Sequence, residues 1–342
     1  MAADGSSTAR LQRIADYPAL LEETWAQAHA PREPNAPTVI STFAGCGGSS
    51  LGYHMAGFRE LLAVEWEQNA ADTFRLNFPH VPLYHGDIAK LSVAECLRLA
   101  NIAPGELDVF DGSPPCQGFS TAGKREIGDA RNQLFREYCR LLEGLRPRAF
   151  VMENVSGMVK GDFKIVFAEI LRTLKGCGYR VKARLLNAMF FGVPQSRERM
   201  IFIGVREDIG REPSHPDGWS EPVIVRDAFV GVAPPDSPKL TPHALACWKA
   251  AAPGESVGKL KSVRKLDASR VAGTLTKGGG FREPLHFSEP RSASTAERRR
   301  IGSFPDAFKF TGHQSAMERI GNSVPPLLMR SIARHVRTLI AR

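Results

Sequence analysis

The sequence predicts an α/β protein: a doubly wound, mostly parallel sheet with a second, smaller domain rich in loops and short strands. Three observations carry this reading. Short apolar runs bounded by turn residues alternate with helical segments through residue 206, as in successive βαβ units. Several of those runs lead to a polar residue at the predicted strand end, namely Glu65, Asp87, Cys116 and Glu153, as strands do where the carboxyl edge of an open parallel sheet faces a ligand crevice. From residue 207 to 290 the texture changes to Pro, Gly, Lys and Arg with weak periodicity.

In chain order, residues 8–30 carry Leu11, Ile14, Leu21 and Trp25 at helical spacing, which predicts one amphipathic helix followed by a Pro-rich linker to residue 37. The first strand, 38–43, runs into Ala44, Gly45, Cys46, Gly47 and Gly48 and on to Gly52. A glycine-rich turn between strand and helix lets a nucleotide approach the backbone closely. The second strand, 61–66, closes on Glu65 and Trp66, and Glu65 lies about twenty residues past the turn, the spacing at which an acid reaches ribose hydroxyls. A third strand region, 81–88, ends on Asp87 after Gly86.

Residues 107–111 read as a buried strand that breaks into Gly112, Ser113, Pro114 and Pro115, and the Pro pair holds Cys116 at a set angle. A helix over 132–145 leads to a strand ending in Glu153, Asn154 and Val155. Two further strands, near 179–186 and 200–205, enclose Gln195, Ser196, Arg197, Glu198 and Arg199. The helical pattern returns at 294–301, with Ser294 or Thr295 as N-cap. A last amphipathic helix carries Leu328, Ile332, Val336 and Leu339. The expected division is 1–37, 38–206, 207–290 and 291–342, the last returning to the main domain.

Composition narrows the class. A chain of 342 residues buries a substantial core, and its formal charge of +9 leans towards a polyanionic partner. The six cysteines are scattered, without a C-x-x-C pair or a histidine at ligand spacing. That argues against a structural zinc site or a disulfide framework, and for a reducing compartment. No apolar run approaches membrane-spanning length, and the first residues lack a signal-peptide pattern. A soluble intracellular protein is expected, with no metal.

Cys116 is the strongest candidate for chemistry. Most cysteines are small buried hydrophobes, but one in a Gly/Pro/Ser loop just past a strand end has the setting of a nucleophile. Glu65, Asp87, Cys116 and Glu153 all sit at strand ends, so one crevice would collect them. A nicotinamide site needs G-x-G-x-x-G, but Ser50 stands three after Gly47 and the next glycine is Gly52. The F-x-G-x-G-G pattern of Phe43 to Gly48 suits S-adenosylmethionine better.

With these residues in hand, the chain from Val39 onward resembles the cytosine-5 DNA methyltransferase family, with the motifs in that family's order. Phe43, Gly45, Gly47 and Gly48 look like its cofactor turn. Glu65 and Trp66 are similar to the pair that holds the ribose and stacks near the adenine, and Asp87 and Ile88 to the adenine-reading pair. Pro115, Cys116 and Gln117 resemble the catalytic loop, and Glu153, Asn154 and Val155 the signature of the catalytic glutamate. Gln195, Arg197 and Arg199 resemble the element around the target base. Gly321, Asn322, Ser323 and Val324 resemble the motif that closes over the cofactor, and Pro115 and Leu134 are placed in that cofactor site. One departure is visible: the family's turn begins with an Asp that positions the cofactor's amino-acid end, and Ser41 stands there.

The resemblance implies a Rossmann-like methyltransferase domain over 38–206 and a target recognition domain over 207–290. It implies transfer of a methyl group from S-adenosylmethionine to carbon-5 of a cytosine flipped out of duplex DNA. Cys116 would add to carbon-6, Glu153 would serve ring nitrogen-3, and Arg199, supported by Arg197, would hold the exocyclic oxygen. The loop after Cys116, with Gln117, Ser120, Lys124 and Arg125, would close on the DNA, its cations being phosphate contacts or plain solvated charges.

Within the recognition domain, Thr274, Thr276 and Lys277 belong to a Thr-Leu element, with Lys259, Lys261, Arg264, Lys265, Arg270 and Arg282 giving the electrostatic surface. Arg298, Arg299 and Arg300 are either fold-supporting or phosphate contacts. The implied partners are double-stranded DNA and a cognate restriction endonuclease. The implied place is the bacterial cytoplasm, at the nucleoid through DNA, and no membrane. Two alternatives stay open: the same chemistry on a tRNA cytosine, and a catalytically inactive DNA-binding scaffold.

Overall fold

The computed structural model describes residues 11–115, 130–156, 163–233, 240–257, 260–277 and 284–341. Seven strands form one sheet: β1 (Thr38–Thr42), β2 (Arg59–Glu65), β3 (Leu83–His85), β4 (Val109–Gly112), β5 (Ala149–Val155), β6 (Tyr179–Asn187) and β7 (Glu198–Arg206). Their order is β3-β2-β1-β4-β5-β7-β6. The first five are parallel, and β7 runs antiparallel to both β5 and β6. The strand order reverses between β1 and β4, the position where an open sheet splits its loops and leaves a crevice at the carboxyl edge.

Because side chains alternate along a strand, neighbouring residues feed opposite faces. Val39, Ala63, Val109, Val151 and Ile203 point to one layer, and Ile40, Leu62, Phe110, Phe150 and Phe202 to the other. The first layer comprises α1 (Tyr17–His29), α2 (Gly48–Met55), α3 (Gln68–Asn77), α9 (Thr295–Ile301), α10 (His313–Asn322) and α11 (Pro326–Leu339). The second comprises α4 (Val93–Ala100), α5 (Ala130–Leu145) and α6 (Phe163–Gly176). Both faces are covered, as a parallel sheet requires.

Several expectations need correction. The N-terminal helix starts at Tyr17, not residue 8: Asp16 caps it by accepting from the Ala19 amide at 2.9 Å, and Pro18 sits in its first turn. A helix running through from residue 8 would put Pro18 in its interior, where proline breaks a helix. Gln12 instead bridges to Ser220 in parallel fashion. In the third strand region only Leu83–His85 pairs, and Asp87 caps a 3₁₀ turn over Ile88–Lys90. Helix α10 was not anticipated.

The segment from 207 to 290 contains more helix than its composition suggested, namely α7 (Val225–Ala228) and α8 (Pro242–Ala250), beside a hairpin of β8 (Ser256–Val257) and β9 (Leu260–Arg264). Thr241 as N-cap and Pro242 after it are ordinary helix-start signals. Ala251, Val257, Val263 and Leu285 form a small core of their own, whereas Val225, Leu266, Ala272 and Leu275 join the main one. Among the described residues, no helix is long and apolar enough to cross a membrane.

The returning α11 lies tightly on α2, and Gly52 is what permits the approach. A Cβ there would stand 2.5 Å from Met329 Cβ and 2.7 Å from the Pro326 carbonyl oxygen. In a free helix Gly→Ala gains about 1 kcal/mol. Here Gly52→Ala is expected to cost about 1–3 kcal/mol net through overpacking. The loss would appear as a lower urea midpoint at unchanged slope, and a raised midpoint would refute the packing argument.

Candidate active site

The site grows from the turn after β1. The chain passes through Phe43 (φ 54°), Gly45 (φ 57°) and Gly47 (φ 93°) before α2 begins. Glu65, at the end of β2, holds this turn. Its Oε2 accepts the Gly45 amide at 2.7 Å, and its Oε1 accepts the amides of Trp66 at 2.8 Å and Glu67 at 2.7 Å. A carboxylate offers about four acceptor positions, so three backbone bonds leave room for a ligand hydroxyl.

Gly48 makes the second close approach. A Cβ there would lie 2.6 Å from the Val324 carbonyl oxygen, so the 321–324 motif can rest on the first turn of α2. Ser323 donates to the Arg319 carbonyl at 2.8 Å.

Two neighbouring cavities open here. One, of about 360 Å³, brings together Phe43, Glu65, Trp66, Asp87, Ile88, Pro115 and Leu134. The other, of about 230 Å³, shares Phe43, Glu65 and Trp66 and adds Gly45, Gly48, Asn322 and Ser323. The Trp66 side chain is largely exposed (75%), an apolar ring ready to be covered. Gly47 lines neither cavity; it packs on Phe78 and serves the turn alone. Gln133, Ser49, Ser113, Glu67 and Arg319 also line the cavities and were not anticipated. Arg319 had a signal: it lies two residues ahead of the Gly321–Asn322 motif.

An apolar chamber with an acid at its edge, joined to a polar one at a glycine turn and helix start, suits a nucleoside with a polar tail. The donor set therefore fits S-adenosylmethionine. Glu65 would meet the ribose, Trp66 and Ile88 the base, Asp87 the adenine edge, and the turn with Asn322 and Ser323 the amino-acid end.

Ser41, at the departure from the family pattern, is buried, and its Oγ has no hydrogen-bond partner among the described residues. Its register partner on β4 is Asp111, which is buried and accepts from Tyr53 Oη at 3.1 Å. Burial pushes the Asp111 carboxyl well above the ordinary range, against the Tyr53 bond and with help from Glu60 and Glu153.

Beside the cavities, β5 ends in Glu153 and Asn154, and antiparallel β7 sets Arg199 opposite Val155. Arg199 Nε lies 2.7 Å from Glu153 Oε1, with both side chains nearly buried. Asn154 Nδ2 donates to the Pro114 carbonyl at 3.0 Å, tying the glutamate strand to the start of the Pro-Cys loop. Cys116, Gln117, Ser120, Lys124 and Arg125 lie outside the described residues.

Arg197, expected in support of Arg199, is a buried side chain in the loop that leads into β7. It is 1% exposed, and its Nη1 donates to the Leu275 carbonyl at 2.8 Å while Nη2 donates to that of Gly321 at 2.9 Å. Alternation would put residues two apart on one face, but the strand begins only at Glu198, so Arg197 belongs to the preceding loop and turns inward. Burial draws its pKa down to about 9, with Arg199 adding to the effect.

Thr274 is part of the same seam. Its hydroxyl donates to the Ser196 carbonyl at 2.7 Å, and Gln195 Oε1 accepts the Leu275 amide at 2.9 Å. Thr276 and Lys277 are exposed, and their backbone presses on Gly321, where a Cβ would meet it at 2.3–2.4 Å.

The Arg-rich helix supports the fold. Arg300 Nη2 pairs with Asp306 Oδ2 at 2.6 Å, Arg299 donates to the Asp306 carbonyl at 2.6 Å, and Arg298 is 1% exposed. Lys265, expected on the basic surface, is buried, with its Nζ on the carbonyls of Trp248 and Ala251. Arg264 is exposed, and Arg270 pairs with Asp267 at 3.4 Å. Lys259 and Arg282, and the Lys261 side chain, lie outside the described residues.

A model of the family "C-5 cytosine-specific DNA methylase" matches residues 37–240 and 247–338. The Type II methyltransferase M1.HphI of Haemophilus parahaemolyticus is 35% identical over 331 residues, covering 87% of this chain and 86% of that protein. The Type II methyltransferase M.NgoPII of Neisseria gonorrhoeae is 32% identical, covering 92% of this chain and 100% of that protein. A solved structure of a DNA modification methyltransferase encoded within an E. coli prophage superposes with a TM-score of 0.78 at 25% identity. It covers 90% of this chain and 100% of its own.

Two outcomes follow from the geometry. Arg197→Met removes three charge-assisted bonds, to Gln195, Leu275 and Gly321, and strands two buried carbonyls, which should cost about 3–5 kcal/mol; equilibrium denaturation measures it, and a loss under about 1 kcal/mol would mean the guanidinium ties nothing. For Asp111, a folded-state pKa above the unfolded value means its stability contribution is full at low pH and lost as pH rises. Asp111→Asn should therefore raise stability at neutral pH and flatten its fall between acid and neutral pH. Parallel stability–pH curves for the two proteins would contradict this.

Proposed function

The chain belongs to the C-5 cytosine-specific DNA methylase family, and from that premise we propose that it methylates carbon-5 of a flipped-out cytosine within one specific duplex DNA sequence, through a covalent Cys116 adduct. The observation that carries the reading is the Glu153–Arg199 pair at 2.7 Å, held next to the Pro114–Pro115 entry of the catalytic loop and beside a cavity suited to S-adenosylmethionine.

The chemistry explains the residue types. Carbon-5 of cytosine is a weak nucleophile. Addition of the Cys116 thiolate to carbon-6 breaks the ring's conjugation and places electron density on carbon-5 and nitrogen-3. Glu153 meets nitrogen-3 and shares with it the proton that neutralises this density, and Arg199 orients Glu153 and faces the exocyclic oxygen. S-adenosylmethionine, when bound, supplies the methyl group as an electrophilic sulfonium. Loss of the carbon-5 proton to a base then lets the carbon-6–sulfur bond break, restoring the ring and the thiolate, while nitrogen-3 returns its proton to Glu153. A stacked base cannot reach these groups, so the cytosine must leave the helix.

In this reading residues 38–206 and 291–342 hold cofactor and chemistry, and 207–290 reads the target. Thr276 and Lys277, exposed beside the seam, are its nearest described candidates for DNA contact. The Type II names of the relatives support a place in restriction–modification, beside an endonuclease cutting the same sequence.

Bisulfite sequencing of unmethylated plasmid incubated with the protein and S-adenosylmethionine tests this directly. Protected cytosines in one recurring context are expected, with activity lower by on the order of a thousandfold or more in Cys116→Ser. No protection from a protein that binds the cofactor would overturn the DNA reading, and competition by structured tRNA would then identify the alternative substrate.

A further inference from the structure

The two cavities differ in charge as well as polarity. Among the described residues that line them are three carboxylates, Glu65, Glu67 and Asp87, and a single cation, Arg319. A methyl donor with an amino-acid tail brings both an ammonium and a carboxylate. The ammonium has several acids to approach, whereas the carboxylate has one cationic hydrogen-bond donor among these described lining residues, Arg319.

Arg319 is built for such a contact. It sits on α10, two residues before the glycine that seats the 321–324 motif, and its side chain is 3% exposed. Nη1 and Nη2 engage Glu67 at 2.7 and 2.6 Å in a two-pronged pair, and Nη2 also lies 3.0 Å from Glu318 Oε1. Its Nε is buried with no hydrogen-bond partner. A buried donor left unpaired costs about 1–3 kcal/mol, so the fold retains a guanidinium that is anchored at one end and unsatisfied at the other, on the wall of a cavity. Burial works against its charge, but Glu67 and Glu318 outweigh that and hold its pKa above the ordinary value.

We propose that Arg319, braced by Glu67, binds the carboxylate of the cofactor's amino-acid end. The proposal rests on the reading of these cavities as the S-adenosylmethionine site. Glu67 is the positioning partner. It opens α3, so the pair also joins that helix to α10 across the cavity. The rival account is that Arg319 only makes this joint.

Calorimetric titration of the full chain separates the two accounts, with S-adenosylhomocysteine and its decarboxylated analogue, which keeps the adenosine, thioether and amine, as ligands. Arg319→Met should weaken S-adenosylhomocysteine by about tenfold or more and leave the analogue near its wild-type affinity, so that the preference for the carboxylate collapses. Arg319→Lys should recover part of it, and Glu67→Gln should keep most of the preference. Should Arg319→Met fail to fold, Arg319→Gln, which keeps a donor for Glu67, allows the same comparison. Equal weakening of both ligands would make Arg319 a structural joint, and no change in either would remove it from the site; both results overturn the proposal while leaving the cofactor site standing. Failure of the wild-type chain to bind either ligand would overturn the cofactor reading itself.

Discussion

The constraint on which most of the site depends is the buried guanidinium of Arg197. Removing such a group from water is costly, and here three segments remote in sequence offset the cost. Leu275 and Gly321 supply carbonyls at 2.8 and 2.9 Å, while Gln195, beside Arg197, supplies its side chain at 3.4 Å and also holds the Leu275 amide. The start of β7, the Thr274–Lys277 strip and the end of α10 are thereby fixed to one another. Through the last of these the 321–324 motif is set on Gly48 and the glycine turn. Arg197 thus acts on the frame that holds these segments in common register.

The sheet supplies the other half of the arrangement. At the carboxyl edge around β1 and β4 the Gly45 turn, Glu65, Asp87, Pro115 and Glu153 approach one another, because each lies near or just past the carboxyl end of a different strand. The antiparallel β7 adds what a parallel strand could not. It returns along β5 and places Arg199 near the end of the Glu153 strand, so the 2.7 Å pair forms between residues 46 apart in the chain. The same reversal leaves β6 on the outer edge, where Arg180 and Arg184 face Glu212 and Asp217, the kind of charged border that discourages another strand from pairing there.

Much of this was legible because strand ends announce themselves. A short apolar run that closes on an acid identifies both the strand and its terminus, and so Glu65, Asp87 and Glu153 could be placed before any coordinates. Less was legible where a residue's partner is set by packing. Nothing in the spacing of Gln195, Arg197 and Arg199 tells which arginine turns inward, since that depends on β7 starting at Glu198. Lys265 carries a charge that composition assigns to a DNA surface, yet backbone carbonyls of Trp248 and Ala251 take it inside. The start of α1 was legible in Asp16 and Pro18, but the hydrophobic spacing of Leu11 and Ile14 masked it.

The same distinction qualifies the basic character of the chain. A formal charge of +9 suggests a polyanion partner, but counterion release and steering depend on charges that water and phosphate can reach. Arg197, Arg298, Arg300 and Arg319 are each at most 3% exposed, and Arg300 and Arg319 are paired with acids that cancel their field at a distance. These arginines weld the C-terminal segments to the sheet. The charges of Arg197, Arg298 and Arg300 are engaged inside the fold, whereas exposed cations such as Arg264 and Lys277 keep a field that water and phosphate can reach. At the Glu153–Arg199 pair, low exposure does the opposite of what it does for steering: it strengthens the interaction by excluding water, so the local arrangement of a few buried charges outweighs the net charge of the whole chain.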